Sequence, residues 1–291
     1  MVGGGERCDD FVVVHVIQLT FKKVGVSAIA DEDAGADAVD WLLGALRRNG
    51  QILGLNWPVF DTGTEYRVVV MAPEPVSLDR GPHNQWIRRD LDGLTPAGLD
   101  TPLVEVLGPD PGSAAPCDCR EPGGYLLWTT YMNLESPLRC LDCFGPVPLY
   151  RIPPTDSSGY HRVLSWQSDY QACDTLQMNC STLEYPGLAE MSGPRSSLTR
   201  RGREICDQIT ESTGRPTYYY LFRYHGRRHR GEERLICPSC HRGWRLAERL
   251  LDHFDFRCDH CRLLSSLACA VGSRGETRSK PADRTTVSGP R

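Results

Sequence analysis

The stretch ICPSCHRGWRLAERLLDHFDFRCDHCRLL, residues 236–264, decides how the C-terminal part of this chain folds. It places two residues between Cys237 and Cys240, seventeen between Cys240 and Cys258, and two between Cys258 and Cys261. A zinc ion takes four sulfurs tetrahedrally at about 2.3 Å, and a two-residue gap lets one tight turn supply two of them. The intervening segment is long enough for two short strands, with Trp244, Leu246, Phe254 and Phe256 as apolar positions to cover the site. This spacing predicts a zinc ribbon, preferred here over a redox dithiol or an iron–sulfur cluster. Four protein ligands leave no open coordination position, so the expected zinc is structural and not catalytic. His241 and His260 stand beside the turns and are expected to face solvent.

Upstream, Cys117-Asp-Cys119 and Cys140-Leu-Asp-Cys143 are again separated by enough chain for a hairpin. They admit a second structural Zn2+ site, although a one-residue gap is less diagnostic and four free thiols read equally well. The chain carries thirteen cysteines in 291 residues, and Cys8, Cys173, Cys180, Cys206 and Cys269 fall outside these pairs. Residues 1–10 show no basic segment running into an apolar one, which argues against a secretory signal, favours metal ligation over disulfides and sets the expectation of a cytoplasmic protein. No apolar run is long enough to span a bilayer, so no membrane partner is expected. A net charge of −4 gives no general attraction to nucleic acid.

The fold expected overall is α+β. Phe11 to Phe21 reads as a strand, and Val39, Leu42, Leu43 and Leu46 mark one face of a helix. Ile52–Phe60 and Glu65–Ala72 read as a hairpin, with a short helix over Asn84–Leu91 and a strand over Leu103–Leu107. The order β-α-β-β-α-β is that of a ferredoxin-like sandwich. The predicted division is a disordered tail over 1–10, this domain over 11–110, a central Cys-containing domain over 111–215, a ribbon domain over 216–268 and a disordered tail over 269–291. Within the central domain Tyr125–Tyr131 reads as a strand, and Ser197–Thr213 as a helix stopped by Gly214 and Pro216.

Just before the ribbon lie Arg223, Tyr224, Arg227, Arg228, Arg230 and Arg234, following the run Tyr218, Tyr219, Tyr220. Guanidinium groups grip phosphates and tyrosines stack on unpaired bases, a combination suited to RNA or single-stranded DNA. Acidic neighbours offset much of this charge, and the tyrosines read equally as a strand with its rings in the core. No nucleophile–base pair or phosphate-binding glycine loop has meaningful spacing, so the expectation is a non-enzyme that binds nucleic acid or, alternatively, serves as an adaptor gripping another protein.

TYYYLFRYHG, CPSC and FDFRCDHCRL, together with SPLRCLDCFGPVPLYRIP and SWQSDYQACDTLQ upstream, resemble a bacterial family of unknown function described as zinc-ribbon-containing and as a candidate for nucleic-acid binding. The resemblance covers most of Tyr125 to Leu264. It implies that the central and ribbon segments belong together.

Overall fold

The computed structural model describes residues 14–24, 33–79, 81–156, 159–226, 229–232 and 234–269. The expected tails over 1–10 and beyond residue 269 lie outside the described residues, as does the start of the first predicted strand. The chain is mixed α+β, built on two sheets.

The first sheet follows from the periodicity of the N-terminal third. β1 (His15–Lys22), α1 (Ala34–Arg48), β2 (Val59–Asp61), β3 (Glu65–Ala72), α2 (Gln85–Asp92) and β4 (Leu103–Pro109) succeed one another as the pattern suggests. The strands pair antiparallel in the order β2-β3-β1-β4. Alternation along β1 turns Ile17, Leu19 and Phe21 to one face, where they meet Val39, Leu42, Leu43 and Leu46 of α1. Asn84 caps α2, its side-chain oxygen accepting from Trp86 N and Ile87 N at 3.0 Å.

One expectation fails here. Ile52–Phe60 is no full strand: only Val59–Asp61 pairs, and Leu53 makes a single bridge to Met71. Gly54 turns the chain at φ +88°, and Trp57 Nε1 donates back to Leu53 O at 2.8 Å, so the segment bends into a loop.

The second sheet contains β5 (Tyr125–Leu127), β6 (Leu138–Cys140), β7 (Thr217–Tyr220), β8 (Arg245–Leu250), β9 (Phe254–Cys258) and β10 (Leu263–Ser265). Tyr125–Leu127 is shorter than the Tyr125–Tyr131 strand read from the sequence. The strand order is β6-β5-β7-β10-β9-β8, with β7 parallel to both β5 and β10. Segments 111–215 and 216–268 therefore share one sheet, with β7 as the seam. α3 (His161–Met178), α4 (Glu184–Ser192) and α5 (Ser197–Thr213) cover one face, burying Trp166, Tyr170, Met191, Ile205 and Ile209 against Tyr219 and Phe256. α5 ends at Gly214 as its sequence suggests, at φ +69°, and at its start Ser196 Oγ accepts from Thr199 N. The close approach of α5 to β7 depends on Gly202, where a Cβ would overlap the Tyr219 ring and lie 2.8 Å from Trp166 Nε1.

The two units meet through Glu74, which is 7% exposed. Tyr150 Oη donates to Glu74 Oε2 at 2.5 Å, and the Arg151 guanidinium clasps the same carboxylate. Arg151 Nη1 also donates to the carbonyl of Cys117 at 2.6 Å.

Candidate metal centres

Local geometry brings the cysteines together in the two groups that their spacing suggests. The Sγ atoms of Cys237, Cys240, Cys258 and Cys261 all lie within 4.8 Å of one another, and so do those of Cys117, Cys119, Cys140 and Cys143. Tetrahedral geometry with bonds of about 2.3 Å separates sulfurs by roughly 3.8 Å. Cys240 and Cys258, with sulfurs 3.6 Å apart, fit that requirement. Eight soft thiolate donors in two closed groups can hold two metal ions.

Each group is made in the same way. Cys140 ends β6 and Cys258 ends β9, so a strand delivers the third ligand and the following turn delivers the fourth. Three of the four turns end with a left-handed residue directly after their second cysteine: Phe144 at φ 62°, His241 at φ 60° and Arg262 at φ 49°. That conformation closes the turn, as His241 N donating to Cys237 O at 2.8 Å and Phe144 N donating to Cys140 O at 3.0 Å demonstrate. Backbone amides also point at sulfur, with Asp142 N 3.3 Å from Cys140 Sγ and Gly145 N 3.4 Å from Cys143 Sγ. The one-residue gap of Cys117-Asp-Cys119 lacks a left-handed closure and is anchored instead by Cys117 N donating to Pro146 O at 2.8 Å.

Burial and crowding among sulfurs hold several thiols in the protonated form. Burial pushes Cys258 up to about 11, Cys261 up to about 12 and Cys143 up to about 11, and raises Cys117 further. Cys240 runs the other way, lowered to about 7 chiefly by the Arg242 backbone amide that donates to it. His241 and His260 are exposed and lie outside the sulfur groups, as expected.

Of the predicted basic and aromatic patch, the described side chains sit in different settings. Tyr218 and Tyr219 are buried in the sheet, so their rings are core and not a stacking platform. Arg223 forms an ion pair at 2.7 Å with Glu232, a residue 0% exposed, and lies over the Phe256 ring. Tyr224 is half-buried beside His225, and Arg234 is exposed. Arg230 falls in the short helix α6 (His229–Glu232), and Arg227 and Arg228 lie outside the described residues. Arg245 and Arg249 of β8 are both engaged by Asp255.

Phe144 is a residue that the sequence reading misses altogether. It stacks against Trp128, His253 and Phe254, joining the turn of the first cysteine group to β9 of the second. Its position directly after the second cysteine of a turn is the available signal.

Comparison with known proteins adds relatives and no chemistry. Residues 15–108, 119–222 and 226–271 match three family models described as Domain of unknown function (DUF8589), Domain of unknown function (DUF2310) and Domain of unknown function (DUF8594). Their descriptions name neither zinc nor nucleic acid. No solved structure matches the chain. One protein of Haemophilus influenzae, described as an uncharacterized protein, is 35% identical over 226 residues, covering 76% of this chain and 87% of that protein. A second, described in the same words, is 38% identical over 164 residues, covering 56% of this chain and 81% of its own length. At that identity and coverage, the chain belongs to the family of these uncharacterized Haemophilus influenzae proteins.

Proposed function

We propose that the chain is a non-enzymatic, cytoplasmic binding protein whose second sheet is clipped at both ends by structural Zn2+ ions, one per cysteine group, and whose N-terminal ferredoxin-like sandwich docks another protein. The all-sulfur donor sets support zinc, which takes four thiolates tetrahedrally in structural sites, and the cytoplasm keeps thiols reduced. In this reading the C-terminal group is a zinc ribbon and the upstream group a ribbon-like partner to it.

The observation that carries the docking role is β4. It pairs with β1 on one side only, and Leu103, Val104, Val106 and Leu107 are each about half exposed around a single charge, Glu105. A long apolar edge of this kind is a hazard unless it is used, and an extended peptide from a partner would complete the ladder. The test is purification from a native-like host, with metal content, co-purifying protein and nucleic-acid absorbance read on one sample. Two zinc ions per chain and a stoichiometric protein, lost when Val104 and Val106 are both changed to Lys, are the expected results. Nucleic acid in its place would favour the second reading, binding of RNA or single-stranded DNA. That reading has in its favour Arg234 and Arg242, exposed and without a carboxylate partner among the described residues.

A further inference from the structure

A cleft of about 460 Å³ opens between the two units. Leu55, Trp57 and Met71 form its wall on the N-terminal side, and Leu134, Leu149 and Leu164 form the opposite wall. Its size and apolar lining are those of sites that enclose a small organic molecule, and seams between units are where such sites concentrate. Leu55 and Leu134 are 59% and 50% exposed, so the cleft presents unsatisfied apolar surface to solvent.

One charged residue lines this cleft, Arg47, and no carboxylate does. Arg47 lies at the end of α1, is half-buried, and spends its Nε on the carbonyl of Gly54 at 2.9 Å. Among the described residues no Asp or Glu stands within ion-pair distance of it, and its two Nη groups have no hydrogen-bond partner. Burial alone lowers its pKa. With both Nη groups open to solvent at the cleft, the guanidinium is free to take an anion. The surrounding polar groups are occupied elsewhere: Gln171 Nε2 donates to Thr130 O and Asn133 O, and Gln167 Nε2 to Glu135 O.

We infer that this cleft binds an organic monocarboxylate with an apolar body, its carboxylate on the Nη groups of Arg47 and its chain between Trp57 and Leu164. One guanidinium matches one negative charge, and its fork geometry matches the two oxygens of a carboxylate. The pairing is partly desolvated, so it contributes strongly to affinity, by roughly tenfold or more.

The test uses the metal-loaded full-length protein and two probes of equal length, decanoate and decan-1-ol, titrated calorimetrically. Decanoate is expected to bind with one-to-one stoichiometry, roughly tenfold or more tighter than decan-1-ol. Arg47→Gln should bring decanoate down to the affinity of the alcohol, while Arg47→Lys keeps most of the difference. Leu55→Glu, at an exposed position on the wall, should abolish decanoate binding without loss of fold, and it carries the test if Arg47→Gln fails to fold. Equal affinity for the two probes means a neutral occupant, such as a partner's apolar side chain, and overturns the inference. So does an absence of decanoate binding, or decanoate binding that Arg47→Gln and Leu55→Glu leave unchanged.

Discussion

Phe144 meets Phe254 edge to face, ring centroids 5.6 Å apart. Phe144 directly follows Cys143, and Phe254 opens the strand that ends at Cys258, so one aromatic contact ties the two cysteine groups together. Phe144→Ala should cost about 2–3 kcal/mol and speed the loss of both metals to a chelator. Faster loss of one metal alone would show that the groups are independent.

Metal uptake by the cysteine groups should be accompanied by proton release. Cys258 and Cys261 keep their protons up to about 11 and about 12, and Cys143 up to about 11, so binding near neutral pH must expel them, together with that of Cys117. Affinity therefore rises with pH. Without metal the sign reverses, because a pKa raised by folding stabilises only while the proton is bound. The metal-free fold should keep this contribution below about pH 9 and lose it as pH climbs through about 11–12. Calorimetry in buffers of different ionisation enthalpy measures the release, and uptake with no protons expelled would refute the assignment.

Gly202 should tolerate no side chain. Gly202→Ala drives a methyl into Tyr219 and Trp166, both buried beyond easy retreat. A loss of about 3 kcal/mol is expected, read as a drop in the thermal midpoint of the metal-loaded protein.

His241→Gly should act in the opposite direction. His241 is exposed and held at φ 60°, a conformation that glycine adopts without steric penalty. A gain of about 1 kcal/mol is expected in denaturant titrations with metal content unchanged.

Arg151 holds the contact between the two units. Its guanidinium bridges Glu74 of the first unit to the backbone of Cys117. Arg151→Met leaves a buried carboxylate without its cation, at a cost of about 2 kcal/mol after allowing for the partial exposure of the pair. Limited proteolysis should then cut the segment after β4 sooner.

Much of this arrangement is legible in the amino-acid sequence. The C-terminal cysteine group follows from its spacing, because the covalent reach of a two-residue turn dictates which sulfurs can meet, whereas the one-residue gap of Cys117-Asp-Cys119 leaves the upstream group open against free thiols. The helix over Ser197–Thr213 declares itself through its stop at Gly214 and Pro216, and α1 through the apolar stripe of Val39, Leu42, Leu43 and Leu46. α3 does not, because its buried face mixes Val163, Trp166 and Tyr170 with Gln167, Asp174 and Gln177, which blurs the apolar period. Nor can spacing reveal that β7 joins both cysteine units, since that pairing is long-range and parallel. The burial of Tyr218 and Tyr219 and the pairing of Arg223 with Glu232 are not legible, because sequence adjacency hides the side to which each ring and guanidinium turns. Arg47 carries no signal, being one basic residue at a helix end like many others.

The place of β7 also sets an order of events. β5 finds its parallel neighbour only at Thr217–Tyr220, after three helices have emerged, and β10 must wait longer still. During synthesis the first cysteine group is complete long before the sheet can close around it. If the group takes its metal at that stage, as an isolated hairpin, the ion would hold β5 and β6 in register until β7 arrives. Scarcity of metal would then be felt first as misassembly of nascent chains, while molecules already folded persist.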